Sequence, residues 1–183
     1  MASRERRRQA ASAAAPARYS FSLAETVWGW VPAVWSETGL WQLGFPQSSR
    51  QAAAALIRAG TPEEIGPRAA RLAEQLQSYF AGQKCAFDVA LDWRGYPPFW
   101  EQVLRYITTI PCGATMSYGA VAAAVGRPSA ARAVGGAMRA NRIPIIVPCH
   151  RVIGADGSLT GFGGGLEVKE AMLRLEKRLA GSA

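Results

Sequence analysis

The chain is poor in the residues that hold metals or build disulfide frameworks. Its 183 residues include three cysteines, Cys85, Cys112 and Cys149, and one histidine, His150. No two cysteines stand in CxxC spacing, and an odd count leaves at least one thiol free, which argues against a disulfide framework. A zinc site would need nearly every cysteine and the histidine at once, so no metal and no cofactor is expected. Acidic residues are also scarce: 13 Asp and Glu stand against 21 Lys and Arg, a formal net charge of +8. Such a surplus favours a polyanionic partner through phosphate contacts and counterion release, although a basic protein without a nucleic-acid partner would show the same balance. No apolar run is long enough to span a bilayer, so no membrane partner is expected. Free thiols stay reduced most easily in a cytosolic compartment. The expected location is cytoplasmic, at the nucleoid in a bacterium, or nuclear in a eukaryote.

What is present is enough apolar material for a core: 49% of residues are hydrophobic and 19% charged. That suits one compact domain or two small ones sharing an interface. Residues 1–18, with Arg4, Arg6, Arg7, Arg8 and Arg18 among Ala, Ser and Gln, read as a flexible basic tail. Residues 19–93 read as an α/β domain. Between Tyr19 and Pro46 the apolar residues are broken by turn signals such as Glu37-Thr38-Gly39, which predicts two or three short antiparallel strands burying tryptophan rings. A helix follows over 49–59. Thr61-Pro62-Glu63-Glu64 has the form of a capping box opening a second, which Gly66-Pro67 cuts short before a longer helix running to Tyr79. Phe87, Val89 and Leu91 alternate as in a further strand over 85–93. Tyr96-Pro97-Pro98 reads as a hinge.

Residues 97–180 read as mostly helical. Phe99, Val103 and Ile107 share one helical face. Ser117 can cap a short helix that Gly126-Arg127-Pro128 breaks, and Ser129 can cap the next, so the pair has the form of a helix-turn-helix. The second helix presents small residues, Ala131, Gly135, Gly136 and Ala140, flanked by Arg132, Arg139 and Arg142. Glycines in a helix cost roughly 1 kcal/mol each against alanine, so close approach of a partner is the reason sought for them. DNA is one such partner; another helix of the same chain is the other. Val168, Ala171, Met172, Leu175 and Leu179 mark an amphipathic final helix.

Between these elements the apolar run Ile143-Pro144-Ile145-Ile146-Val147 delivers Pro148-Cys149-His150-Arg151. A thiolate is the reactive form of cysteine, and a neighbouring histidine or arginine favours it. In an extended segment adjacent side chains point apart, so a water is expected to carry a proton between Cys149 and His150. A buried cysteine beside a surface histidine would give the same four letters.

Ile110-Pro111-x-Gly113, Ser117-Tyr118, Ala131-Arg132-Ala133-Val134-Gly135, Asn141, Pro148-Cys149-His150-Arg151-Val152 and Gly161-Phe162-Gly163-Gly164-Gly165-Leu166, followed by Lys169 and Glu176, resemble the O6-alkylguanine-DNA alkyltransferase (methylated-DNA–protein-cysteine methyltransferase) family in order and spacing. The likeness is dense from Phe99 to Lys177 and loose over 19–93. It implies a ribonuclease-H-like N-terminal domain and single-turnover, direct-reversal repair of DNA. Cys149 would take the alkyl group from O6-alkylguanine, and from O4-alkylthymine, in duplex DNA bound as a monomer through the minor groove. His150 would activate Cys149 through water. Glu176 would orient His150 and favour its charged form, with folding independent of that carboxylate. Asn141 would hold the turn. Tyr118 would press on the DNA backbone and hydrogen-bond N3 of the extruded base. Arg132 would fill the gap left in the stack. Ser117, Ala131, Ala133, Gly135, Gly136 and Arg139 would meet DNA. Met138, Val152, Phe162 and Gly163 would form the base pocket, with the Val152 carbonyl on the guanine amine and the Gly163 N–H on O6.

The chain departs from the family at Phe162, where many members have tyrosine, and at Gly163, which lacks a side chain that some members carry and so leaves room for larger alkyl groups. Members with a structural zinc use cysteines and histidines absent here. The rival reading is a non-catalytic alkyltransferase-like lesion sensor. Such proteins lack the acceptor cysteine, and Cys149 stands against it.

Overall fold

A computed structural model describes residues 19–57, 61–62 and 66–181. The basic tail and Glu63-Glu64 of the expected capping box lie outside the described residues. Strands β1 (Ser20–Thr26), β2 (Gly29–Trp35) and β3 (Leu40–Leu43) pair antiparallel, as expected. The β1–β2 turn requires Gly29, whose φ is +119° and where a Cβ would lie 2.3 Å from the Gln47 carbonyl oxygen. Helix α1 (Arg50–Ala55) starts where Ser49 accepts a hydrogen bond from the Ala52 N–H, and it closes at Leu56, short of Ala59.

Two expectations fail here. Thr61 and Pro62 are not a helix cap and first helical position: they form strand β4, parallel to β1 at Ser20 and Phe21, in a sheet of order β3-β2-β1-β4. Proline lacks a donor but is tolerated on such an edge. Helix α2 (Pro67–Phe80) is the longer helix expected to run to Tyr79, with Pro67 in its first turn. Residues 85–93 form no strand either. They meet β3 only around Leu40, whose N–H donates to the Ala90 carbonyl (2.8 Å) and whose carbonyl accepts from the Asp92 N–H (2.9 Å). The ladder stops where the buried Asp92 carboxylate turns to the Ser36 hydroxyl (2.6 Å) and to Arg94.

Helix α3 (Pro98–Ile107) buries Val103, Leu104 and Ile107. Strand β5 (Met116–Ser117) leads directly into α4 (Tyr118–Ala124), with Ser117 capping as expected through the Ala120 N–H (3.1 Å). Ser129 does not cap α5 (Ala131–Arg139). The cap residue is Ala130, and its N–H is satisfied by the Arg127 carbonyl (2.9 Å), so the turn closes on its own backbone. Strand β6 (Val152–Ile153) runs parallel to β5, and α6 (Leu166–Gly181) ends the described chain.

One continuous core joins the sheet, α2 and the later helices, running from Val31, Trp35 and Leu72 to Ile107, Val134 and Met172. Arg142 is a clamp at the edge of this core rather than part of a basic face. Its guanidinium lies 3.5 Å from the Trp41 ring centre and 4.2 Å from that of Tyr96, and its carbonyl accepts from the Leu43 N–H (2.8 Å). The Tyr96 hydroxyl accepts from the Arg142 N–H (2.9 Å), which pins the expected hinge. Against the cysteine count, Cys85 and Cys112 form a disulfide, Cα to Cα 6.2 Å, leaving Cys149 as the free cysteine. Tertiary packing joins residues 27 apart in sequence, a pairing that no short-range spacing reveals.

Candidate active site

Cys149 is presented by a strained turn. Ile145, a β-branched residue, has φ +75°, a left-handed conformation that such side chains rarely adopt. Asn141 spans the turn: its Nδ2 donates to the Val147 carbonyl (2.9 Å) and its Oδ1 accepts from the Ile143 N–H (3.0 Å). Cys149–Arg151 then forms a 3-10 turn, not the extended segment expected, because the Pro148 carbonyl accepts from the Arg151 N–H (2.9 Å). The parallel pairing of β5 with β6 sets Tyr118 beside this turn.

Cys149 lines a cavity of about 700 Å³ whose walls include Tyr118, Arg132, Met138, Phe162 and Gly163. Ala131, Gly135, Gly136, Arg139 and Asn141 also line it. Arg132 and Arg139 are exposed at its edge, and Gly135 lies against the Tyr118 ring. Gly136 meets Trp100 of α3, where a Cβ would approach the indole to 3.5 Å, an ordinary contact, so packing against this ring does not by itself require a glycine. Ser117 and Ala133 do not line the cavity, and the Ser117 hydroxyl is engaged as a cap. Val152 is fully buried; its carbonyl accepts from Lys169 Nζ at 2.7 Å. Thr160, across the mouth, donates to the Tyr118 hydroxyl (3.1 Å).

Behind Cys149 the fold buries a charged group. Glu176 Oε1 meets His150 Nε2 (2.7 Å), the Tyr79 hydroxyl (2.8 Å) and Arg151 Nη2 (2.9 Å). Its Oε2 accepts from Arg151 Nε (2.8 Å) and the Gly113 N–H (3.3 Å). His150 and Glu176 are fully buried.

A family model described as "6-O-methylguanine DNA methyltransferase, DNA binding domain" matches residues 98–178. The methylated-DNA–protein-cysteine methyltransferase of Mycolicibacterium paratuberculosis is 56% identical over 113 residues, 61% of this chain and 68% of that protein. The Salmonella typhimurium protein of the same name is 50% identical over 105 residues, covering 57% of this chain and 61% of its own length. The fold is similar to that of Mycobacterium tuberculosis OGT, solved in complex with DNA, with a TM-score of 0.75 and 42% identity over 87% of this chain and 94% of that one. The chain belongs to the methylated-DNA–protein-cysteine methyltransferase family.

Protonation in this alkyltransferase site follows from burial. Burial holds the His150 imidazole neutral, against the pull of Glu176. Neutral His150 therefore donates Nε2–H to Glu176, and Nδ1, buried without a hydrogen-bond partner in the protein, is left as the free base. Burial also works to raise the Glu176 carboxyl, but donors from His150 and Arg151 outweigh it and hold it down at about 2. Burial pushes the Cys149 thiol up, opposed by Asn141, by the charge of Lys169 and by nearby backbone N–H groups. The thiolate is thus scarcer at rest than in a free cysteine, the reverse of what the Pro148-Cys149-His150-Arg151 sequence alone suggested.

From sequence Arg151 is expected only to favour the thiolate and Lys169 has no assigned role, while Tyr79 as a partner of Glu176 and Phe45 as a wall of the cavity are not foreseen. Lys169 and Glu176 had a signal: charges spaced with Met172 on the inward stripe of α6. Tyr79 and Phe45 had none, because they come from the N-terminal part.

Proposed function

We propose that this protein repairs DNA by moving an alkyl group from O6 of guanine onto Cys149, once per molecule. The observation that carries this is one arrangement: a free cysteine on the wall of a cavity edged by Tyr118 and Arg132, backed by the buried His150–Glu176 pair. The two parts divide the work. Residues 97–180 carry the chemistry and the DNA-facing helices, and residues 19–93, with a sheet order that suits a ribonuclease-H-like unit, buttress them. Helices α4 and α5 act as a helix-turn-helix, and α5 enters the minor groove with its small residues inward. The protein acts as a monomer.

In a duplex the O6 substituent is out of reach of a sulfur nucleophile, so the nucleotide must leave the stack. Arg132 fills the gap, and Tyr118 hydrogen-bonds N3 of the extruded base. The Cys149 proton passes through a water to His150 Nδ1, and Glu176 compensates the charge formed on the ring. Sulfur attacks the alkyl carbon, the C–S bond forms as C–O6 breaks, and the electron pair stays on guanine, which takes a proton at N3 from Tyr118; the proton held on His150 restores Tyr118 through solvent once the base has left. A base in the cavity excludes bulk water while the bridging water still links thiol and imidazole, so a thiol that is neutral at rest suits a protein that reacts once. O4-alkylthymine is a second substrate of the same chemistry.

Intact-protein mass spectrometry after incubation with an O6-methylguanine duplex tests this. One added methyl on the native chain and none on Cys149→Ser, with duplex binding retained, is the expected result. Binding without any mass change in the native chain would favour the lesion-sensor reading.

A further inference from the structure

We propose that Phe45, from the N-terminal part, is a positioning residue that sets which O6 substituents the cavity accepts. This rests on the reading that the Gly163 N–H meets O6. Phe45 follows β3 on backbone fixed from both sides. The Leu43 N–H donates to the Arg142 carbonyl, the Gly44 N–H to the Pro32 carbonyl, and Gln47 exchanges both of its backbone bonds with Trp30, all at 2.8 Å. From that anchor the ring lines the same cavity as Cys149, Met138 and Gly163. It stands edge-on to Phe162, with centres 5.0 Å apart at 63°. A Cβ on Gly163 would lie 3.7 Å from this ring, and one on Gly164 would lie 3.0–3.1 Å from three of its atoms. Gly163 and Gly164 therefore lie against the Phe45 ring, and the missing side chain at Gly164 is what permits the close approach.

Glycines carry the greatest backbone freedom, so a run of them needs an outside surface to hold one course. Lys169 Nζ fixes the start of this segment at the Thr160 carbonyl (3.2 Å), and the Gly165 N–H closes its end on the Phe162 carbonyl (3.0 Å). Between those points the Phe45 ring is the brace. Without it the segment withdraws, the Gly163 N–H leaves O6, and the cavity widens at the alkyl end. A small methyl group then loses its positioning, whereas a bulky group gains space that offsets the loss.

The experiment measures single-turnover transfer from O6-methylguanine and O6-benzylguanine in duplex DNA for the native chain, Phe45→Ala and Phe45→Leu. Phe45→Ala is expected to slow methyl transfer ~10-fold, the scale of a small misplacement of reacting groups, and benzyl transfer far less. Phe45→Leu, which keeps apolar bulk, should fall between. The midpoint of the pH profile for Cys149 alkylation by iodoacetamide should stay where it is, since the bonds that fix His150 and Glu176 come from Tyr79, Gly113 and Arg151. Gly164→Ala should impair the native chain but not the Phe45→Ala background, because the group it would strike is gone. Equal loss on both substrates, or equal harm from Gly164→Ala in both backgrounds, would overturn the proposal. Absence of any alkyl on native Cys149 would instead overturn the repair reading beneath it.

Discussion

Lys169 is fully buried, and among the described residues no carboxylate pairs with it; its ammonium donates to the Val152 and Thr160 carbonyls. A buried cation in that setting needs an anion, and the nearby group able to supply one is Cys149, whose thiolate the lysine charge favours. The other buried charges already cancel, since Arg151 pairs with Glu176 and His150 is neutral. Replacing Lys169 by methionine should therefore slow alkylation of Cys149 by iodoacetamide about 10-fold near neutral pH, roughly one pKa unit. The deficit should close as pH rises, and a pH-independent deficit would assign Lys169 to packing alone. Arg132 is a residue of the opposite kind, exposed at the cavity edge with no hydrogen bond or ion pair to another of the described residues. Arg132→Ala should slow repair in duplex far more than reaction with free O6-benzylguanine, because the free base needs no extrusion. Equal slowing of both, measured by single-turnover assay, would remove the stack-filling role.

Helix α6 shows how far element patterns can be read from sequence. Its apolar stripe was legible at Met172 and Leu175, and so were the three antiparallel strands and the Ser117 cap. Those features rest on local periodicity and local hydrogen bonding. What was not legible depends on distant segments: the capture of Thr61–Pro62 by the β1 edge, the Cys85–Cys112 bridge, and Tyr79 reaching Glu176 from α2. In the catalytic segment the sequence located Cys149, His150, Asn141 and Glu176, but it placed Glu176 in the service of His150 alone. The structure gives that carboxylate five donors, two of them from Arg151. Folding cannot be independent of it. Glu176→Gln leaves Arg151 a buried cation without its counter-ion, and removing one partner of a buried pair costs about 3–5 kcal/mol. Denaturant unfolding should show that loss alongside slowed transfer, and unchanged stability would mean that water reaches Arg151 to replace the carboxylate.

At the scale of the whole molecule, the same buried groups tie stability to pH. His150 is held neutral below its ordinary 6.5, so below that pH the unfolded chain takes up a proton that the folded one resists. Its contribution is complete above 6.5 and is lost as pH falls. Glu176, at about 2 against an ordinary 4.5, adds a second loss as pH falls from 4.5 toward 2. Cys149 acts on the other side: its thiol is held protonated above the ordinary 9.0, so the unfolded chain releases a proton that the folded chain keeps. That contribution is complete below 9.0 and is lost as pH rises. Stability should form a plateau between about 6.5 and 9.0, with an alkaline limb carried in part by the reactive sulfur. Lys169, depressed by burial, works against this limb, and because the Cys149 thiolate favours its charge, loss of that thiolate depresses it further and flattens the limb in the same direction. Alkylation turns Cys149 into a thioether that cannot ionise. Urea midpoints measured against pH should therefore show a shallower alkaline limb in the alkylated protein and in Cys149→Ser than in the native chain, with the acid limb unchanged in all three. Identical alkaline slopes would mean that Cys149 ionises as easily in the folded protein as in the unfolded one, and the thiol would then be poised before DNA arrives rather than activated by the base entering the cavity.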